Sequence, residues 1–345
     1  MEKNMGELAD ISSGITGERK ESAPGKIEII TITDTHNDLE AIIRNLRIYD
    51  IIDEKGEWKE GMRNVQIVHT GDVVNKKDPD KKNLEYIFHL KATAPESCSV
   101  QILAGNHEMD YLMSSSGPAE EGSERKLIEG MSLVVVSGPV MFLHGYPTRK
   151  LLRWILSYGS LEEGINEINR QFSEALEESG WGYNEKLKHF LFGDNGDKKG
   201  HDNKGEKKNA PEKTGENTAE KIKKVKIKPL FRKTLPLDYY QAHGKEVESL
   251  LSKLGIEIVV HGHQRTPMGA QTVGEFKEFL PNTTLINNDV AVSEFKSTKP
   301  GEPVVGNKWG STKITMKSGE DGKSTVQEMT FVNKNTYRDT QKLPD

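Results

Sequence analysis

Cysteine is almost absent: Cys98 is the only one in 345 residues. A single thiol closes no intrachain disulfide and offers no cysteine cluster for a structural zinc. Long apolar runs are missing as well. None approaches the ~18 residues that suggest a membrane span, and residues 1 to 26 hold no apolar signal core. There is no basic excess either, since 48 Lys and Arg stand against 53 Asp and Glu for a net charge of -5. The electrostatic footprint of a nucleic-acid binder is therefore lacking. These absences predict a soluble, cytoplasmic protein with neither a membrane nor a nucleic acid as partner. Export by a machine that reads no such signal would leave no trace, and nothing in the chain sets an oligomeric state.

The chain does hold strand-like runs alternating with helical patterns. Residues 1 to 25 read as a flexible arm. Lys26 to Thr33 is β-branched and strand-like, and the spacing of Leu39, Ile42, Ile43 and Leu46 predicts a helix capped by Asn37 or Asp38. A second strand is predicted at 65–69 and a second helix at 82–91. Further strands are predicted at 100–104, 133–136, 140–143, 256–261 and 283–287, with helices at 148–158, 161–178 and 240–254. The class is α/β with a buried, partly parallel sheet. Runs at 311–317 and 324–332 flank Gly319-Glu320-Asp321-Gly322 as a hairpin. One segment, 193–228, is nearly all Lys, Glu, Asp, Asn and Gly, with Ile222, Val225 and Ile227 as its large apolar residues. It buries too little to offset its ordering entropy and reads as a mobile insertion.

The chemistry collects at strand ends. The first strand runs into Asp34-Thr35-His36-Asn37-Asp38, the second into Gly71-Asp72, the third into Gly105-Asn106-His107-Glu108. Val140 to Leu143 runs into His144-Gly145, and Ile256 to Val260 into His261-Gly262-His263. Taken singly, each is ordinary turn or cap chemistry. Taken together, five apolar runs deliver Asp, Asn or His at their carboxyl ends, where open α/β sheets place their sites. Imidazole with carboxylate suits Zn, Fe or Mn better than Mg or Ca. One carboxylate shared by two ions roughly 3.5–4 Å apart is an economical centre for phosphoryl transfer, and Asp72 could be that bridge.

The order Asp-x-His, Gly-Asp, Gly-Asn-His-Glu, His-Gly, Gly-His resembles the calcineurin-like metallophosphoesterases. Within them it is most similar to the phosphoprotein phosphatase family and its bacterial Shewanella-like branch. Thr33 to Leu46, Leu103 to Met113, and Lys228 to Leu235 followed by Leu254 to Pro267 carry that similarity. The resemblance covers about 27 to 292 and implies two packed mixed β-sheets flanked by helices, one catalytic domain over 26–335 and a tail at 336–345. It implies that Asp34, His36 and Asp72 hold a first divalent ion, with Asp72, Asn106, His144 and His263 on a second. Mn is the favoured metal, with Fe and Zn as alternatives. His107 would be the general acid and Arg232 the phosphate clamp. Lys76, Arg149 and Arg265 are further candidate substrate contacts. His263 is taken as the ligand because a glycine directly precedes it, which leaves His261 as a neighbour of the site or a substrate contact.

The chain also departs from the family pattern. Where the family's second motif reads Gly-Asp-x-x-Asp-Arg, this one reads Gly71-Asp72-Val73-Val74-Asn75-Lys76. The missing carboxylate would pair with the catalytic histidine and hold its charged form. Asn75 can orient His107 without that charge. Lys76 replaces a planar fork with a point charge, and Ala104 stands where an arginine commonly precedes Gly-Asn-His. The function implied is hydrolysis of phosphomonoesters, on phosphotyrosine or phosphoserine/threonine proteins or a small phosphoester, by a two-metal-activated water. The alternatives are a phosphodiesterase or dinucleoside polyphosphate hydrolase on the same core, or a non-catalytic binding protein, against which the intact ligand set argues.

Overall fold

The structure is a computed structural model that describes residues 25–75, 81–114, 124–178, 236–263, 278–288, 310–319 and 323–333. The arm up to residue 24, the charged stretch 193–228 and the tail 336–345 lie outside the described residues. So do Lys76, Arg232 and Arg265.

Nine strands form two sheets among the described residues. The first holds β3 (Ser99–Ile102), β2 (Val65–His69), β1 (Lys26–Ile32), β8 (Gly310–Ser318) and β9 (Ser324–Asn333), in that order. Its first three strands are parallel, and β8 and β9 add antiparallel, as the predicted hairpin requires. The second sheet runs β4 (Val134–Ser137), β5 (Val140–Leu143), β6 (Ile258–His261), β7 (Thr284–Asn287), with β5, β6 and β7 parallel. Both faces of β1 are buried because alternate residues serve different layers. Ile29 joins Val68, Phe142, Val260 and Ile314 between the sheets, while Ile30 and Ile32 face the cluster that includes the helices. That is why Ile29 and Ile30 are adjacent and both buried, where a one-sided strand would alternate apolar with polar. Phe142 is fully buried, so truncating it to alanine would cost about 3–5 kcal/mol.

Seven helices flank the sheets among the described residues. They are α1 (Leu39–Ile48), α2 (Lys81–Ala92), α3 (Asn106–Ser114), α4 (Glu124–Glu129), α5 (Arg149–Leu156), α6 (Leu161–Glu178) and α7 (Pro236–Lys253). Asp38 caps α1 by accepting from Ala41 N at 2.9 Å. Thr148 caps α5 through Leu151 N at 3.2 Å. The predicted helix at 240–254 begins earlier, with Pro236 in its first turn, where the missing N–H of proline costs nothing. The predicted strand 100–104 ends at Ile102, and Leu103 makes only an isolated bridge to Ser132. Helices α3 and α4 are absent from the sequence expectations. Both are short, and α3 opens on the polar Asn106-His107-Glu108, so no long apolar period marks either. No helix among the described residues is long and apolar enough to cross a membrane.

Candidate metal centre

Parallel pairing sends the carboxyl ends of β1, β2 and β3 to one edge, and the loops that follow continue the ladder. Asp34 N donates to Gly71 O at 3.0 Å, His36 N to Asp72 O at 3.0 Å and Asn37 N to Val73 O at 2.9 Å. From the second sheet, Gly262 N donates to His144 O at 2.9 Å, and His263 N to Asp34 Oδ2 at 3.1 Å. These bonds hold a backbone that side chains otherwise avoid. Asp34 (φ 50°), His36 (φ 44°), Asn37 (φ 68°), Asp72 (φ 53°) and His263 (φ 70°) are all left-handed. Such conformations cost on the order of 1–3 kcal/mol each and persist where surrounding bonds over-determine them.

Two glycines let the loops close this tightly. A Cβ on Gly105 would collide with the Asp72 carboxylate and backbone nitrogen, and one on Gly262 with Asp34 Oδ2 and Thr33 Oγ1. Thr33 Oγ1 itself donates to Asp34 Oδ2.

Around Asp72 the side chains converge. Its Oδ1 lies 3.4 Å from His144 Nε2, and its Oδ2 lies 3.7 Å from His107 Nε2 and 4.0 Å from His36 Nε2. His36 Nε2 is 3.8 Å from Asp34 Oδ1. Asn106 Oδ1 lies 3.1 Å from His144 Nε2 and 2.6 Å from His263 Nδ1. Among the described residues two groups could hold a metal ion, one of His36, Asp72 and His107 and one of Asp72, His144 and His263. Asp72 belongs to both.

The proton inventory supports a cation there. His144 Nδ1 lies 2.9 Å from the Thr70 carbonyl, which can only accept, so Nδ1 carries a proton and in the neutral ring Nε2 presents a lone pair. That lone pair meets a carboxylate oxygen and an amide oxygen, both acceptors. Imidazole nitrogens, a carboxylate and an amide oxygen converging at this spacing are a donor set that suits a divalent transition-metal ion.

His107 is the first-turn neighbour of Asn106 on α3. Its backbone N donates to Asp72 Oδ1 at 2.9 Å, and its Nδ1 lies 3.2 Å from Val74 O and 3.1 Å from His36 Nδ1. Asn75, expected to orient it, donates from Nδ2 to the His36 carbonyl at 3.1 Å, and its backbone N donates to Asn37 Oδ1 at 3.1 Å. Arg149 is engaged elsewhere, with Nη1 donating to Glu246 Oε2 at 3.1 Å, which ties α5 to α7. His261 is 1 % exposed. Its Nδ1 lies 2.9 Å from Gly262 O, its Nε2 has no hydrogen-bond partner among the described residues, and burial pushes its pKa down to about 4.

Two supporting residues are given no role in the sequence expectations. His69, at the end of β2, is fully buried, and burial pushes its pKa down to about 3. Gly71 N donates to its Nδ1 at 3.3 Å, so Nε2 carries the proton and donates to Thr35 Oγ1 at 3.1 Å. Glu108 is also fully buried, and it accepts from Asp72 N, Val74 N and Gly105 N at 2.9, 3.0 and 2.7 Å. Burial, then the charge of Asp72, push its pKa up to about 7 against the pull of those donors. A histidine closing an apolar run was a legible signal for the first; the backbone partners of the second were not.

The family model described as calcineurin-like phosphoesterase matches residues 27–267, which takes in every loop of this centre. The chain belongs to the calcineurin-like phosphoesterase family. The phosphoesterase shares its fold with a cold-active protein-tyrosine phosphatase of a psychrophilic Shewanella species, at TM-score 0.52 and 14% identity over 88% of this chain and 81% of that one. A second structure of a cold-active protein tyrosine phosphatase gives TM-score 0.51 at 14% identity, over 88% and 79% of the two chains. A Saccharomyces cerevisiae protein serine/threonine phosphatase gives TM-score 0.44 at 12% identity, over 89% and 79%. No curated protein sequence matches the phosphoesterase. The mixed α/β architecture with two mixed sheets is the one expected from the motif order.

Proposed function

We propose that this phosphoesterase is a metal-dependent phosphomonoesterase acting on phosphoproteins. The observation that carries the reading is Asp72, which turns Oδ1 toward His144 and Oδ2 toward His107 and His36 and belongs to both candidate ligand groups. Asp34, His36 and Asp72 would hold one divalent ion, and Asp72, Asn106, His144 and His263 a second, with Mn, Fe or Zn suited to the mixed oxygen and nitrogen donors. When bound, such ions supply an activated water and neutralise charge on the phosphoryl oxygens.

The chain's own residues do the rest. As an imidazolium, His107 donates Nδ1–H to Val74 O, 3.2 Å away, and keeps Nε2–H for the leaving oxygen. Asn75 acts on His107 through His36, whose carbonyl it fixes. Arg232, Lys76 and Arg265 are the proposed phosphate contacts, and Arg149 would join them on leaving Glu246; His261, which is buried, is proposed as a neighbour of the site. The motif resemblance supports a protein substrate, as do the names of the tyrosine phosphatases that share the fold. The same reading takes 26–335 as one catalytic domain, and the lone Cys98 fits a reducing cytoplasm.

The test is a substrate panel with Mn. Turnover of p-nitrophenyl phosphate and phosphopeptides, with bis-p-nitrophenyl phosphate and dinucleoside polyphosphates left intact, is expected. Preference for the diesters overturns the monoesterase reading. Absence of both turnover and bound metal overturns catalysis altogether.

A further inference from the structure

Glu108 closes the Gly105-Asn106-His107-Glu108 motif yet has no part in the reaction proposed above. It is the third residue of α3 and 0 % exposed. Its carboxylate gathers backbone donors from two separate segments. Oε2 accepts from Gly105 N at 2.7 Å and Asp72 N at 2.9 Å, while Oε1 accepts from Val74 N at 3.0 Å. The Gly105 bond is the backward half of a capping box, an acid in the first helical turn reaching the N–H of the cap residue. The other two bonds leave the helix and grip the loop after β2.

What hangs on those three amides is the centre itself. Asp72 sits at φ 53°, a conformation its side chain does not favour alone. Val74 O is the carbonyl 3.2 Å from His107 Nδ1. Gly105 N precedes Asn106, whose Oδ1 lies 2.6 Å from His263 Nδ1. One side chain therefore fixes the shared carboxylate, the amide oxygen and the acid imidazole relative to one another. Both oxygens must accept for this, which a carboxylate does and a primary amide cannot.

Resting on the metal-centre reading above, we propose that Glu108 is a positioning residue that sets Asp72, Asn106 and His107 in ligand geometry before any metal arrives. Glu108→Gln keeps one accepting oxygen and turns an amide N–H₂ against at least one backbone N–H. Partners behind metal ligands are worth roughly 10- to 100-fold in metal affinity.

The experiment is calorimetric Mn titration of the full chain after chelation, for the parent and for Glu108→Gln, with kcat and KM for p-nitrophenyl phosphate. The expected result is Mn affinity lower by roughly 10- to 100-fold in the variant, with kcat largely restored by excess Mn and KM little changed. Parent-like Mn affinity in a folded Glu108→Gln protein overturns the inference and leaves the metal-centre reading standing. A parent protein that takes up no Mn overturns both. Should the variant fail to fold, amide hydrogen exchange on the parent decides. Protection of Asp72, Val74 and Gly105 amides in the metal-free protein supports a preset loop, and protection only after Mn is added overturns it.

Discussion

His36 and His107 face each other with their Nδ1 atoms 3.1 Å apart and their rings tilted by 49°. Two such nitrogens can share one hydrogen, so the proton state of each imidazole constrains the other. Among the described residues Asn75 reaches this pair through the His36 carbonyl, to which its amide donates at 3.1 Å. An aspartate there cannot donate and is repelled by that oxygen, which favours rotation of its carboxylate away from the carbonyl. Placed near the imidazoles, its charge would support the protonated form of His107. Asn75→Asp is therefore expected to raise turnover of phosphoserine peptides several-fold, and of p-nitrophenyl phosphate less. Alkoxides need the proton more than phenoxides do. Equal changes in kcat on the two substrates would show that proton donation by His107 is not limiting.

Asp72→Asn removes the charge that both metal groups share. Metal content measured by atomic emission is expected to fall from about two ions per chain to less than one. Turnover should fall with it, by more than the roughly 10- to 100-fold that an outer partner costs. A variant that keeps both ions and loses only turnover would move Asp72 from ligand to substrate contact.

Gly262→Ala introduces a methyl group where Asp34 Oδ2 and Thr33 Oγ1 already sit. Overpacking of this kind costs about 1–3 kcal/mol, so a lower Tm and weaker metal uptake are expected together. An unchanged Tm with full metal content would mean that the loops separate without penalty.

The buried neutral histidines set an acid limit. Burial holds His69 at about 3 and His261 at about 4, both below the ordinary 6.5. Above pH 6.5 neither the folded nor the unfolded chain is protonated at these positions. As pH falls below it, the unfolded chain takes up protons that the interior refuses, so stability is lost down to about pH 4 for His261 and about pH 3 for His69. Each contributes a slope of about 1.4 kcal/mol per pH unit. His69→Gln keeps a donor and an acceptor without titrating. Denaturant melts of the metal-free protein between pH 6.5 and 4.5 should show the slope reduced by about one proton. An unaltered slope would place a protonated His69 in the folded state.

Deleting residues 196–220 removes charged and small residues with no large apolar side chain. Tm and p-nitrophenyl phosphate turnover are expected to stay within a few per cent of the parent, on the order expected when no core contact is lost. A fall of several degrees in a thermal melt would mean that the segment packs.

Composition and pattern alone determined the strand runs, the α/β class and the residues at the strand ends. Each of those signals is local: an apolar run of four to eight residues, then a turn residue bearing Asp, Asn or His. Asp34, Asp72, His144 and His263 were legible because each closes such a run. Which ends meet is not local. The left-handed backbone of Asp34, His36, Asp72 and His263 exists because bonds between the loops impose it. The same holds for partners. Arg149 shows a free guanidinium in sequence and meets Glu246 in the fold, while Asn75 shows an amide beside a catalytic motif and turns it to His36 O. Glu108 reads as one more polar residue after a strand, and only the tertiary structure gives it three backbone donors. Residue types follow local pattern, but partners follow from chain segments far apart in sequence, and only the packed sheets bring those within hydrogen-bonding reach.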